Sequence, residues 1–203
     1  MDRLDQVLDA ALPLLRRVDE VLGSAGAPAG HGLWQELRRV RLLPGDAVQA
    51  VAALRPAAFA DAVPELRADA RACAAAAAAL PGPGDWSGDA AEAYDELRHR
   101  TAAQLSGGDE SLDERLEATA DLAQALTDWM ATARRDLAAT LALVLTSGEA
   151  LELSTAPAVP PEPGQVIAAA DVAARVLHAI AESYIDAADL LHGSRPLATP
   201  LPM

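Results

Sequence analysis

The chain has 203 residues, a formal net charge of −14 and 51% apolar residues, but the apolar residues are mostly 49 Ala and 30 Leu, with 3 Ile and only 3% aromatic residues. Ala and Leu favour helices, and the β-branched and aromatic residues that build sheets are scarce, so composition argues against an all-β or α/β fold. An acidic surface repels phosphate backbones and anionic lipid. We therefore expect no nucleic-acid partner. The longest uncharged stretch, residues 21–35, is too short to span a bilayer, so we also expect no stable membrane insertion.

The first quarter of the chain predicts three helices. Residues 2–22 place apolar side chains at spacings of three and four, which is typical of a helix with one apolar stripe. This start lacks the basic-then-apolar pattern of a secretory signal, so we expect synthesis in the cytoplasm without a conventional signal peptide. Residues 33–43 predict a short helix that stops at Pro44, and Asp46 is the expected N-cap of another that runs to Leu54.

Two features of this half of the chain could indicate sites, and we interpret both as structural. Arg38, Arg39 and Arg41 form a basic cluster on an otherwise apolar helix, which is typical of a solvated face. Cys73 is the one cysteine, so an internal disulfide is excluded. It lies in an alanine run, where we expect it to act as a small buried hydrophobe.

The sharpest break in the chain lies at residues 81–88, where two Pro and three Gly fall within eight residues. Such a segment cannot continue a helix. We expect an Ala-rich helix from about residue 59 to residue 80 before it. Asp89 and Glu92 have the spacing of a capping box, so the next helix is predicted to begin at once and to run to about Leu105.

The longest predicted helix spans residues 109–147. Its apolar seam is Leu112, Leu116, Thr119, Ala123, Leu126, Met130, Ala133, Leu137, Thr140 and Val144. The steps alternate between four and three, which is a heptad pattern typical of coiled coils. At 1.5 Å per residue this helix is about 58 Å long, which favours an elongated molecule. One helix cannot bury such a seam alone, so other helices of the chain or a second chain must cover it.

The last fifty residues predict a linker and one terminal helix. Residues 153–164 are rich in Pro and are interpreted as a linker. Residues 165–192 again carry apolar side chains at helical spacing. Residues 193–203 are predicted to be a frayed tail.

No constellation of residues supports catalysis or metal binding. The His residues are His31, His99, His178 and His192. No two of them have the i, i+4 spacing that places a pair of imidazoles on one helix face for zinc. A Gly-rich phosphate loop and a nucleophile elbow are also absent from the sequence. We expect no catalytic, cofactor-binding or metal-binding residues, and no enzyme.

The remaining motif is Trp86-Ser87-Gly88, which lies between two Ala-rich helical segments. Here the sequence resembles the WxG family of type VII secretion proteins, which are small antiparallel helical hairpins joined by a Trp-x-Gly turn. The resemblance is strongest over residues 60–150. It implies that Gly88 lets the backbone reverse and that Trp86 closes the open end of the apolar groove between the helices.

The family also carries a tail signal, a Tyr followed four residues later by an acidic residue. Here Tyr184 is followed by Asp189 at the fifth position, which turns the acid about 100° further round a helix. His178 and Glu182 have the family's spacing, with His in place of Tyr. The resemblance implies these four residues as the candidate secretion signal.

Together these patterns predict an all-α, elongated helical bundle over residues 1–152, with the WxG hairpin at about residues 60–106. The function we infer is that of a non-enzymatic type VII secretion substrate or its pairing partner. Its expected partners are another helical protein, as a hetero- or homodimer, and a secretion ATPase. Two alternatives stay open: a cytosolic helical scaffold unrelated to secretion, and a helical-bundle enzyme or ligand receptor. Export that requires a type VII ATPase separates the first reading from the scaffold.

Overall fold

The described part of the chain is α-helical. A computed structural model describes residues 2–108, 110–154 and 160–198, and no β-strand occurs among them. The helices are α1 (Arg3–Ala25), α2 (Leu33–Val40), α3 (Pro44–Ala52), α4 (Ala62–Ala78), α5 (Asp89–Leu105), α6 (Leu112–Leu145), α7 (Gly148–Leu153) and α8 (Pro163–Gly193), with 3-10 turns at Pro56–Phe59 and Arg195–Ala198. The predicted all-α fold class is therefore confirmed.

The chain divides into two compact units. The first unit comprises residues 1–55 and 129–188, and the second unit comprises residues 56–128 and 189–203. This division differs from the predicted single bundle of residues 1–152 followed by a separate terminal helix. The reason is that most of α8 belongs to the core of the first unit.

The core of the first unit is built around α8. Its buried apolar residues are Ala168, Ala169, Ala170, Val172, Ala173, Val176, Leu177, Ile180 and Ala181. Buried side chains from α1, α3 and the second half of α6 belong to the same core cluster. The many Ala residues let neighbouring helix axes approach near the short end of the usual range of about 8–10 Å.

By length and composition, α8 is also the one helix of the described chain that could cross a membrane. Its most apolar window has a mean hydropathy of 1.3, and 56% of that window is buried inside the protein. Core helices of globular units have the same length and composition, and α8 occupies that position in the first unit.

A buried arginine ties the start of α1 to the end of α3. The Arg134 side chain is 6% exposed. Its Nε donates to Asp2 Oδ2 at 2.5 Å, and its Nη2 donates to Asp5 Oδ1 at 2.7 Å. Its Nη1 donates to the carbonyl oxygens of Ala52 at 2.5 Å and Leu54 at 3.3 Å. The hydrogen bond from Arg134 lowers the pKa of Asp2 to about 2.

A second polar contact joins α1 to α3 at Asp19. The Gly45 N–H donates to Asp19 Oδ2 at 3.1 Å, and a Cβ on residue 45 would overlap this carboxylate. Burial raises the pKa of Asp19 to about 6; the Gly45 N–H opposes this rise, and the neighbouring charge of Asp46 adds to it. A larger residue at position 45 would therefore have to displace the Asp19 carboxylate from this hydrogen bond.

We expect Asp19→Asn to stabilise the protein at pH 7.5 and to have little effect at pH 4. The pKa of Asp19 rises from 3.8 to about 6 on folding, so the folded state binds more protons. The free energy of unfolding of the wild type then falls as the pH rises through this interval. The amide stays neutral and its oxygen still accepts the Gly45 N–H. Urea titrations at both pH values measure the effect, with Asp9→Asn, at an exposed position on the same helix, as the control; a gain that is equal at both would contradict the assignment.

The second unit has a much smaller apolar core. Its buried cluster comprises Val63, Ala120 and Ala123. Leu66 packs against this cluster, and Arg67 Nη2 lies 3.0 Å from Asp121 Oδ1. The helices α4 and α5 also pack on each other. Because Ala buries little area, the hydrophobic effect stabilises this unit far less than the first.

The predicted heptad seam is only partly the buried face of α6. The buried seam residues are Ala123, Met130, Ala133, Leu137 and Val144. Thr119 is exposed and Thr140 is half-buried, and the next residues, Ala120 and Leu141, are buried instead. A straight helix drifts about 20° per heptad from a 3.5-residue repeat, so a strict heptad pattern does not stay on one buried face over the whole length of α6.

Two predicted helix ends and one predicted capping box are wrong. The second helix ends before Arg41, which has a left-handed φ of 61°. The third helix begins at Pro44, whose fixed φ suits the first turn, so Asp46 lies inside the helix and is not its N-cap. Gly88 is the N-cap of α5, and Asp89 is its first residue without the predicted capping hydrogen bond.

The Pro-rich segment at residues 153–164 contains less linker than predicted. Ser147 caps the short helix α7, and its Oγ accepts the Ala150 N–H at 3.3 Å. The helix α8 begins at Pro163, two residues earlier than predicted, because Pro is well tolerated in a first helical turn. Residues 155–159 lie outside the described residues.

Two further predictions concern the tail after α8 and the start of the long helix α6. In the predicted frayed tail, the carbonyl of Leu197 accepts a hydrogen bond from Arg115 Nη2 at 2.8 Å within the second unit. Residues 199–203 lie outside the described residues, as does Asp109, the predicted first residue of the long helix. That helix begins at Leu112, where the nearby Ser111 Oγ donates to Asp113 Oδ1 at 2.6 Å.

Candidate functional site

The Trp-x-Gly segment forms the loop between α4 and α5. The Trp86 N–H donates to the Pro83 carbonyl at 3.2 Å, which closes a turn before the motif. Gly88 has a φ of 94°, a conformation that side-chain-bearing residues rarely adopt. Its carbonyl then accepts the Ala91 N–H at 2.8 Å as α5 begins. The motif's glycine is therefore needed for the backbone to enter α5.

The Trp86 side chain lies on the surface of the second unit. It is 53% exposed, so the expectation that it closes the apolar groove between the helices is wrong. Its ring contacts that of Tyr94, with a centroid distance of 5.8 Å and an interplanar angle of 43°. The Tyr94 hydroxyl donates to the Pro81 carbonyl at 2.9 Å. One residue of α5 thus holds both the loop backbone and the indole.

A groove of about 490 Å³ lies beside the indole, and we call it the Trp86 groove. It is lined by Pro83, Trp86, Ser87, Gly88, Ala91, Glu92, Asp95, Glu96 and His99. Ala91 is buried. Three carboxylate side chains and one histidine are the titratable groups of the lining, so the groove combines an exposed aromatic ring with an acidic side.

The carboxylates of the Trp86 groove are not equivalent. Asp95 Oδ1 lies 2.8 Å from Arg98 Nε, and Asp95 Oδ2 lies 3.4 Å from His99 Nδ1. Glu92 and Glu96 are exposed, and neither forms an ion pair within the described residues. They are one helical turn apart on α5, so both face the same side of the groove without a cationic partner.

The four residues of the predicted secretion signal all lie on α8 but have different surroundings. Tyr184 is half-buried and packs against the core of the first unit. Asp189 is exposed. His178 Nδ1 lies 4.0 Å from Glu182 Oε1, as expected for residues one turn apart. The structure therefore does not present these four side chains as one exposed group.

His178 and Glu182 also pair with α2. Arg39 Nη2 donates to Glu182 Oε1 at 2.6 Å, and Arg39 Nη1 donates to Glu36 Oε2 at 2.8 Å. His178 Nδ1 lies 3.2 Å from Glu36 Oε1. The hydrogen bond from Arg39 lowers the pKa of Glu182 below its usual value. These two predicted signal residues thus fasten α2 to α8, and Arg39 is not simply part of a solvated face.

Cys73 and His31, for which we predicted no site, have the surroundings of structural residues. Cys73 is half-buried, which is less than predicted. Within the described residues no group of three or more His, Cys, Asp or Glu could hold a metal ion. His31 accepts the Leu33 N–H at Nδ1, and its Nε2 lies 3.2 Å from Asp171 Oδ1. Both ring nitrogens are therefore engaged in fastening the start of α2.

Comparison of the chain with known family models, with curated proteins and with solved structures finds no match. The resemblance to the WxG family rests on the residues of the loop and its flanking helices alone.

Proposed function

We propose that this chain is a non-enzymatic helical protein of a type VII secretion system, either a secreted substrate or its pairing partner. The observation that carries the proposal is the loop between α4 and α5: a Trp-x-Gly sequence joins two Ala-rich helices that pack on each other, and its Trp86 stands 53% exposed. A large aromatic side chain on the surface is typical of a residue that a partner covers.

Few residues of α4 and α5 are buried, and this supports a role in helix pairing. Over their combined length only Val63, Ala70 and Ala91 are buried. Leu97 on α5 is 55% exposed. Amphipathic helices gain most of their stability from packing, so a further helix placed on these faces would stabilise both chains.

Export of two tryptophan variants tests the proposal. We expect Trp86→Ala to abolish export from the native host, because the partner contact is lost while the buried core is untouched. Trp34→Ala is the matched control, since Trp34 is also exposed, at 41%, and lies in the first unit. Intracellular level and helical circular dichroism show that both variants fold. Export of Trp86→Ala at the wild-type rate would contradict the proposal.

The alternative function is that of a cytosolic helical interaction protein unrelated to secretion. It is favoured by the surroundings of the candidate signal: Tyr184 packs on the core, and His178 and Glu182 pair with α2. If the protein is exported nonetheless, these contacts favour a partner protein as the carrier of the tail signal.

A further inference from the structure

We propose that the Trp86 groove binds an arginine-bearing segment of a partner protein. This inference rests on the proposed function, because it names the chemistry of the partner that the hairpin recognises. Three observations carry it: a groove of about 490 Å³, an exposed indole that contacts the Tyr94 ring, and two carboxylates without a cationic partner in the described chain.

The indole offers a preorganised surface for a planar cation. Trp86 contacts the Tyr94 ring, and the Tyr94 hydroxyl donates to the Pro81 carbonyl, so these contacts restrict the loop and the indole in the free protein. Holding a side chain in its bound position reduces the entropy lost on binding. Guanidinium groups stack on indole faces more often than ammonium groups do, which favours arginine over lysine.

The charge of the groove matches the same ligand. Glu92 and Glu96 lie one turn apart and unpaired, whereas Asp95 is already engaged by Arg98 and His99. A guanidinium group stacked on the indole has five donors in its plane, which suit nearby carboxylate oxygens. Arginine therefore satisfies the aromatic side and the acidic side of the groove together.

Other occupants fit the groove less well. A purely apolar helix would cover the carboxylates of Glu92 and Glu96 without pairing them, which costs free energy. An anionic ligand would be repelled by the same two groups. An arginine on a partner segment avoids both penalties, and the protein's net charge of −14 would speed the approach of a basic partner.

A matched pair of peptides tests the inference on the whole chain. The probe is a short acetylated Ala-based peptide with two arginines, and its control carries citrulline, which is neutral and nearly identical in shape. By isothermal titration at low salt, we expect the citrulline peptide to bind at least about fivefold more weakly. Loss of the preference for arginine would overturn the proposal.

Variants locate the binding. Glu92→Gln with Glu96→Gln is expected to weaken arginine-peptide binding about fivefold, and Trp86→Leu about threefold. The control pair Glu65→Gln with Asp69→Asn removes the same charge from exposed positions on α4 and should change binding less than about twofold. An equal loss in the control pair, or unchanged binding in Trp86→Leu, would overturn the proposal.

The result is separable from the proposed function. If export depends on the type VII ATPase but the groove variants bind the arginine peptide as the wild type does, the inference is wrong and the proposed function stands. If the groove binds the peptide as described but export does not occur, the proposed function is wrong and the recognition of arginine stands.

Discussion

Leu137→Ala is expected to lower the free energy of unfolding by about 2–5 kcal/mol. Leu137 is 2% exposed on α6 and lies in the core of the first unit, beside the buried residues Leu141 and Val144 on the same helix. Removing its side chain loses buried apolar area and leaves a cavity. The surrounding helices can fill this cavity only in part. Guanidinium titration followed by circular dichroism measures the change.

Two leucines on the same helix are the controls for Leu137→Ala. Leu143 is 72% exposed, so Leu143→Ala should change stability by less than about 0.5 kcal/mol. Leu126, which the heptad pattern places on the same seam as Leu137, is only half-buried, so Leu126→Ala should cost about 1 kcal/mol. Equal stabilities of the Leu137 and Leu143 variants would show that the buried face of α6 is wrongly assigned.

Arg134→Met is expected to cost about 2–3 kcal/mol of unfolding free energy. The substitution keeps much of the apolar stem but removes the donors to Asp2, Asp5 and the carbonyl of Ala52. Both aspartates are more than 40% exposed, so water can solvate them after the change, and the cost stays below that of breaking a fully buried pair. Arg135→Met, at an exposed neighbouring position, is the control.

The same arginine gives the protein an acid-dependent stability. The pKa of Asp2 falls from 3.8 to about 2 on folding, so the unfolded state binds more protons in this interval. The contribution of the pair is complete above about pH 4 and is lost as the pH falls toward 2. We expect Arg134→Met to reduce this loss, and a variant with an unchanged acid dependence would contradict the role of Arg134.

The helical architecture could be predicted from the sequence because its signals are local. Ala and Leu content, the spacing of apolar residues and the Pro/Gly break place α1, α5 and α8 within a few residues of their observed bounds. The ends of α2 and α3 could not be placed as well. The left-handed Arg41 and the helical first turn at Pro44 depend on backbone conformations that many sequences share.

Contacts between residues that are far apart along the chain could not be predicted from the sequence. Arg134 stands beside the apolar seam and has the pattern of a surface residue, and its partners Asp2 and Asp5 lie about 130 positions away. The ion pairs between α2 and His178 and Glu182 likewise join residues that are far apart along the chain. Charged residues carry no periodic signal that names their partners, whereas apolar residues reveal at least which helix face is buried.

The candidate site could be predicted only in part from the sequence. The sequence locates Trp86 and Gly88 by their motif, but it does not predict the exposure of Trp86 or the contact of its ring with Tyr94. No sequence pattern indicated the acidic side of the groove either, because unpaired glutamates are common on a protein of this charge. Only the structure distinguishes Glu92 and Glu96 from the paired Asp95.

Our central proposal is that this chain acts in a type VII secretion system. The most direct measurement compares the amount of the protein in the culture medium of the native host with that of a strain lacking the type VII ATPase, with a cytoplasmic enzyme as the lysis marker. We predict that the protein is present in the medium of the first strain and absent from that of the second, while its intracellular level is maintained. Equal amounts in both media, or none in either, would contradict it.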